Sequence, residues 1–170
     1  MSYWGGPMPN IFEPHFDESR QQEGFDCRRA RIGRQAGAER LGASVWEVPP
    51  GQAAYPYHFH YAEEELLFVL RGRPSLRTPE GWRDLEPGET VAFLVGERGG
   101  HQLLNRTAET VRLLVVSPHG VPEICVYPDS DKVGVYGRRP DGADLRELHR
   151  RSDAVDYYEG EKPPEPGAGH

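Results

Sequence analysis

Two cysteines, Cys27 and Cys125, are all that the 170 residues contain, and they form no CxxC pair. That scarcity argues against a disulfide framework or a thiolate-rich zinc site, and reduced, structural thiols in a cytosolic protein are expected. Lysine is almost missing: of 20 cationic residues only Lys132 and Lys162 are lysine, which reads as coding bias more readily than as function. The net charge is −7 and the pI about 5.5, so no basic footprint for nucleic acid or an anionic membrane is present. No apolar run approaches the ~20 residues that a membrane helix requires. The start, Met1 to Pro7, carries neither a cationic nor an apolar leader segment, and no signal peptide is expected. Internal repeats are absent. No Ser/His/Asp or Cys/His nucleophile arrangement is evident either, so covalent catalysis is not expected.

What the chain does have is a rhythm of short apolar stretches broken by turn residues. From Asp26 to about Tyr136 candidate strands fall at 26–32, 40–48, 57–61, 65–71, 74–78, 82–85, 90–95, 101–105, 110–117 and 122–127. Turn signals such as Pro49-Pro50-Gly51, Pro79-Glu80-Gly81 and Pro118-His119-Gly120 punctuate them. This is the signature of an all-β sandwich or barrel. The length suits one domain. Residues 1–24 are read as an irregular N-terminal arm, 25–137 as the barrel, and 138–170 as a C-terminal extension disordered near its Pro/Gly-rich end. One modest helix is predicted over 141–151, around Leu145 and Leu148. Two stretches, Leu66 to Leu70 and Val111 to Val116, are apolar on both faces, so a second sheet, the N-terminal arm or a partner subunit must cover the outer side. A homodimer is the expectation, and a covering arm explains the pattern equally well.

The chemistry is concentrated in His58-Phe59-His60 with Glu63-Glu64-Glu65 behind it and His101 much later. On a strand, residues i and i+2 share a face, so His58 and His60 would project together into an apolar interior. Burying imidazoles and a carboxylate without partners costs roughly 1–3 kcal/mol per group. A divalent ion satisfies all of them at once. Glu65, at the start of the next strand, and Glu64 are the candidate carboxylates, with Glu63 expected to face solvent in the turn.

The stretch resembles the cupins, small double-stranded β-helix (jelly-roll) proteins. Their first motif, G-x5-H-x-H-x3,4-E-x6-G, reads here Gly51-x6-His58-Phe59-His60-x4-Glu65-x6-Gly72. Their second, G-x5-P-x-G-x2-H-x3-N, reads Gly88-x5-Leu94-Val95-Gly96-x4-His101-x3-Asn105. Leu94 replaces the proline, and two extra residues precede the histidine. The resemblance implies an all-β jelly-roll cupin barrel binding one divalent transition metal (Mn, Fe, Ni, Co, Cu or Zn) through His58, His60, Glu65 and His101. Mixed nitrogen and oxygen ligation does not choose among these ions. The later string Tyr127-Pro128-Asp129-Ser130-Asp131-Lys132-Val133-Gly134 is similar to Y-P-D-S-x-K-[VI]-G in a group of bacterial single-domain cupins, some provisionally labelled sugar-phosphate isomerases. Pro-Asp-Ser is equally good turn chemistry, and Lys132 is the residue there most worth testing.

Among the remaining residues, Tyr57, Phe59 and Tyr61 should lie on the face opposite the histidines, while Tyr55 could reach the barrel mouth. Gln102 and Asn105 are read either as supports for the third histidine or, for Asn105, as a turn former. His15, His119, His149 and His170 are not expected to be ligands. The expected function is that of a metal-binding protein, an enzyme of isomerase or dioxygenase type acting on a small polar metabolite in the cytoplasm. The alternative is a non-catalytic sensor of a small molecule. No helix-turn-helix stretch precedes the barrel, which weakens a regulator reading.

Overall fold

A computed structural model describes residues 8–118 and 122–163. In chain order the strands are β1 (Glu18–Arg20), β2 (Cys27–Ala30), β3 (Leu41–Val48), β4 (Phe59–His60), β5 (Glu65–Arg71), β6 (Ser75–Thr78), β7 (Gly81–Asp84), β8 (Thr90–Phe93), β9 (Gln102–Leu104), β10 (Val111–Pro118), β11 (Glu123–Tyr127), β12 (Lys132–Arg138) and β13 (Asp144–Arg150). A single-turn helix α1 (Ile32–Gln35) follows β2. Six strands form one sheet in the order β1-β2-β3-β10-β5-β8. Opposite it lie β13-β12-β11-β4 and β7-β6-β9, and the His58–His101 and Ala53–Leu104 bridges sit where these two smaller sheets approach each other. All strand pairings are antiparallel. This is the jelly-roll arrangement that the cupin resemblance implied, and it agrees with the all-β reading of the strand rhythm.

Alternation along the strands builds the core. On β10, Val111, Leu113 and Val115 point inward and join Leu67 and Val69 of β5, Trp46 and Val48 of β3, and Leu76, Leu85 and Leu103 from the facing side. Burial of such side chains stabilises by roughly 1.5–3 kcal/mol each. The opposite face of the large sheet carries Val45, Leu70 and Leu114, covered by Ala30, Ile32 of α1, and Ile11 and Phe16 from the N-terminal stretch. The doubly apolar strands therefore gain their outer cover, at least in part, from the chain's own arm. That arm is not wholly irregular, since β1 pairs with β2 at its end. On the same outer face Glu47 is buried and receives hydrogen bonds from Arg112 and Arg28, and Arg112 also donates to the Phe12 carbonyl at 2.6 Å.

The motif glycine Gly72 has φ +78°, and a Cβ there would lie 2.8 Å from Val111 Cγ1. Glycine is required where β5 turns toward β6.

The region 141–151 is a strand and not a helix. Asp141 Oδ1 accepts a hydrogen bond from Ala143 N, the Arg139 N–H donates to the Ala143 carbonyl, and Gly142 adopts φ +84°. This turn folds β13 back on β12, whose backbone groups take up those of residues 144–150. Leu145 and Leu148, three apart, mimic a helical step, but the hairpin wins because it satisfies the edge of an existing sheet. β12 was likewise absent from the expected strands. Pro128–Ser130 form the turn expected from Pro-Asp-Ser, and Asp131 in the left-handed region starts β12.

Candidate metal centre

β4 and the residue before it, the start of β5, and the loop entering β9 bring four of the predicted side chains together. His58 pairs with His101 backbone to backbone through N–H···O bonds of 3.2 and 2.9 Å. Their rings lie 4.6 Å apart, and His60 sits 4.9 Å from His58. Glu65 Oε2 is 3.0 Å from His101 Nε2 and 3.3 Å from His60 Nε2. Ligand atoms of His58, Glu65 and His101 all lie within 4.8 Å of one another, whereas His60 groups at that spacing with His58 and Cys125, and with Glu63 and Glu123. The carboxylate among the imidazoles is that of Glu65. Glu64, one residue earlier, is on the opposite face and exposed.

Tautomers follow from the partners. His58 Nδ1 lies 2.9 Å from the Pro56 carbonyl, and His101 Nδ1 lies 2.8 Å from the Gly99 carbonyl. A carbonyl only accepts, so both Nδ1 atoms carry the proton, and both Nε2 atoms turn lone pairs into the interior. Both ring nitrogens of His60 and Nε2 of His101 are buried without a hydrogen-bond partner. A lone pair facing a carboxylate at about 3 Å is repulsive unless a cation, proton or metal, lies between. Two donors about 2.1 Å from one ion stand roughly 3.0–3.4 Å apart at tetrahedral to octahedral angles. The 3.0 and 3.3 Å approaches to Glu65 have this size, and His58, Glu65 and His101 group as one ion would require, while His60 joins them only through Glu65.

The two extra residues of the second motif form a tight turn, Glu97–Gly99, anchored by Gly96 N donating to the His60 carbonyl at 2.7 Å. A Cβ on Gly99 would lie 1.7 Å from the Leu94 carbonyl oxygen. The insertion thus presents the Gly99 carbonyl that orients His101. Phe93 stacks flat on the His101 ring at 3.7 Å.

The electrostatics diverge between neighbouring histidines. Burial, with His101 and His60 nearby, lowers His58 to about 3. Burial also disfavours the charge on His60, but Glu123 and Glu65 on either side outweigh it and raise His60 to about 9. Burial works against the Glu65 charge too, yet His101 and His60 hold it well below the carboxylate range.

Sequence reasoning missed the contribution of β11. Glu123, 5% exposed, places Oε1 3.4 Å from His60 Nδ1 and accepts from Tyr61 N at 3.2 Å. Cys125 pairs with His60 across the strands, and burial raises its thiol to about 12. Tyr127 stacks 5.8 Å from His58 and shares a 2.7 Å bond with the Tyr136 hydroxyl. The period-two spacing of 123, 125 and 127 was the available signal. Glu63 also departs from expectation: it is half-buried, drawn against β11 by the Tyr61 N–H bonds to Ile124 and Glu123.

Other residues fall as follows. Tyr55 packs edge-on against His58 at 4.9 Å and His101 at 5.4 Å, and its buried hydroxyl has no partner. Gln102 donates to the Tyr55 carbonyl at 3.2 Å. Asn105 locks a turn, donating to the Val48 and Glu109 carbonyls and accepting from Thr107. Phe59 packs against Tyr61, and Tyr57 lies under Arg77. Lys132 sits 5.6 Å from the Tyr127 ring, and Asp129 is paired with Arg77. His15 and His149 are exposed, while His119 and His170 lie outside the described residues. Both cysteines are free. A surface groove of about 800 Å³ holds Tyr61, Val126, His149 and Val155 and none of the imidazole cluster. Among the described residues no helix is long and apolar enough to cross a membrane.

The strand arrangement is that of the cupin fold, and residues 44–117 match the Cupin domain. The chain is similar to two solved structures over most of its length. One is a provisionally named sugar phosphate isomerase from Acidithiobacillus ferrooxidans, 25% identical with TM-score 0.69, covering 78% of this chain and 81% of that one. The other is a cupin-superfamily sugar phosphate isomerase from Silicibacter pomeroyi, 26% identical with TM-score 0.68, covering 78% and 80%. The polyketide cyclase RemF from Streptomyces resistomycificus is 29% identical over 57% of this chain and 68% of its own, with TM-score 0.50. No curated protein matches significantly.

Proposed function

We propose that this chain is a metal-dependent enzyme acting on a small polar metabolite, with His58, His60, His101 and Glu65 holding one divalent ion. The observation that supports it is the approach of two buried, unpartnered Nε2 atoms, those of His60 and His101, to the Glu65 carboxylate, which a bound metal ion would satisfy together. Isomerase chemistry is favoured over oxygenase chemistry by the names of the two structures similar over most of the chain. Such an ion supplies Lewis acidity and polarises a bound oxygen. The chain's own residues do the rest. Glu123, 3.4 Å from His60 Nδ1, favours a proton on that nitrogen, the Pro56 and Gly99 carbonyls fix His58 and His101, and Tyr55 and Phe93 wall the imidazoles from water. We place this activity in the cytoplasm, with the chain as a homodimer that binds neither nucleic acid nor membrane.

Protein purified without a His-tag is expected to carry one divalent ion per chain by elemental analysis. His58→Ala and His101→Ala should lose it while keeping a β-rich circular dichroism spectrum. Equal metal in parent and variants overturns the ligand set. Interconversion of aldose and ketose sugar phosphates, followed by NMR, tests the reaction, and a metal-loaded parent inert toward a broad panel overturns the isomerase reading. Sedimentation measures the oligomeric state.

A further inference from the structure

We propose that Arg20 and Arg29 form an oxyanion-binding subsite beside the imidazole cluster, so that the molecule handled there carries a phosphate or carboxylate group. The inference rests on the metal-enzyme reading and adds the substrate class. Arg29 on β2 stands directly across from Trp46 on β3, so both face inward. The guanidinium lies 4.8 Å over the Trp46 ring, and its Nε donates to Ser44 Oγ at 2.9 Å. Arg20 on β1 approaches the same ring at 5.8 Å, and its Nη1 donates to the Ala54 carbonyl at 3.3 Å. Arg31 adds a third cation. One carboxylate, Glu18, answers them, 2.9 Å from Arg31 and 3.7 Å from Arg29.

Glu18 is the one carboxylate that ion-pairs with these guanidiniums, with Asp17 near Arg31 and Glu65 acting on Arg29 from further off, and among the described residues Arg20 has no carboxylate partner in contact. The Arg29 side chain is only 33% exposed, so water screens it poorly. Each guanidinium carries five N–H donors, and the Ser44, Ala54 and Glu18 contacts use few of them. Spare donors in a planar fork suit a phosphate or carboxylate, which they hold bidentately.

Trp46 connects this cluster to the imidazoles. Tyr55 packs edge-on to Trp46 at 5.9 Å and to His58 and His101 on its other side. Its buried hydroxyl, with no partner, supplies a neutral donor between the two. Glu65 is close enough to act electrostatically on Arg29. A small molecule could therefore place its anionic end on the arginines and its reacting oxygens at the ion.

The test uses chelator-treated protein, so that an anion cannot bind through the metal. Inorganic phosphate and acetate are titrated separately by calorimetry at constant ionic strength. The parent should bind at least one saturably. Phosphate alone indicates a phosphoryl group on the ligand, and acetate alone a carboxylate. Arg29→Gln and Arg20→Gln should each weaken binding at least tenfold, while Arg83→Gln on the exposed face of β7 should not. If Arg29→Gln does not fold, Arg29→Lys replaces it; it keeps the charge, loses the fork, and should still weaken binding several-fold. Binding of neither anion, or equal binding by the Arg20 and Arg29 variants, overturns the subsite. Metal content of untreated samples is read in parallel. Anion binding without metal overturns only the metal reading, and metal without anion binding overturns only the subsite.

Discussion

His60 Nδ1 lies 3.4 Å from Glu123 Oε1, while its other nitrogen lies 3.3 Å from Glu65 Oε2. A carboxylate on Nδ1 holds the proton there and leaves Nε2 as the ligating lone pair. His58 and His101 obtain the same orientation from backbone carbonyls, which no substitution of a side chain removes. His60 depends on Glu123. Glu123→Gln should therefore lower metal affinity about 10- to 100-fold. Saturating metal should still load the variant to one ion per chain. Competition titration against a chromophoric chelator measures the affinity, and elemental analysis at saturation separates weakened binding from a lost ligand. An unchanged affinity would show that Glu123 does not position His60.

The metal-free protein should lose stability on both sides of a narrow pH range, for opposite reasons. His58 falls to about 3 in the folded chain, against an ordinary 6.5. Below 6.5 the unfolded chain binds a proton that the folded one refuses, so stability declines from 6.5 toward 3. His60 rises to about 9. Its contribution is fully present below 6.5 and is lost as pH climbs to 9 and beyond. Chelated protein should thus melt highest near pH 6.5. Bound metal needs neutral imidazoles, so the loaded form should gain most above that pH. Melting temperatures across pH 4–10, with and without added metal, check this. A flat profile for the chelated protein contradicts the shifts.

How much of this was legible beforehand depends on the range over which a signal acts. The shared face of His58 and His60 follows from strand periodicity, while Glu65 and His101 join them only through the spacing of the two cupin motifs. The two-faced apolar pattern of β5 and β10 correctly demanded an outer cover, but it could not say that Ile11 and Phe16 provide part of it. Glu123 was invisible because its importance arises only when β11 pairs with β4, joining residues more than sixty positions apart. Leu145 and Leu148 misled because two residues fit either period, and the Pro140-Asp141-Gly142 turn was the better evidence.

Away from the imidazoles, Glu47 gives a stability test that does not involve metal. Its carboxylate bridges Arg112 of β10 and Arg28 of β2, and the Arg112 side chain is 17% exposed. Burial alone would raise its pKa, but hydrogen bonds from Arg112 and Arg28 hold it below 4.5. Its stabilisation is complete above 4.5 and disappears as pH falls through the lowered value. Glu47→Gln removes the charge but not the volume, leaving Arg112 poorly compensated against the sheet. The expected cost is about 3 kcal/mol at pH 7, read from the urea midpoint at unchanged slope. At pH 3 the gap between parent and variant should shrink, since below 4.5 the unfolded parent binds a proton that the folded carboxylate, held under its ordinary value, resists. Metal content should be the same in both. A gap that holds constant from pH 7 to pH 3 would mean that packing, and not the ion pair, accounts for the loss.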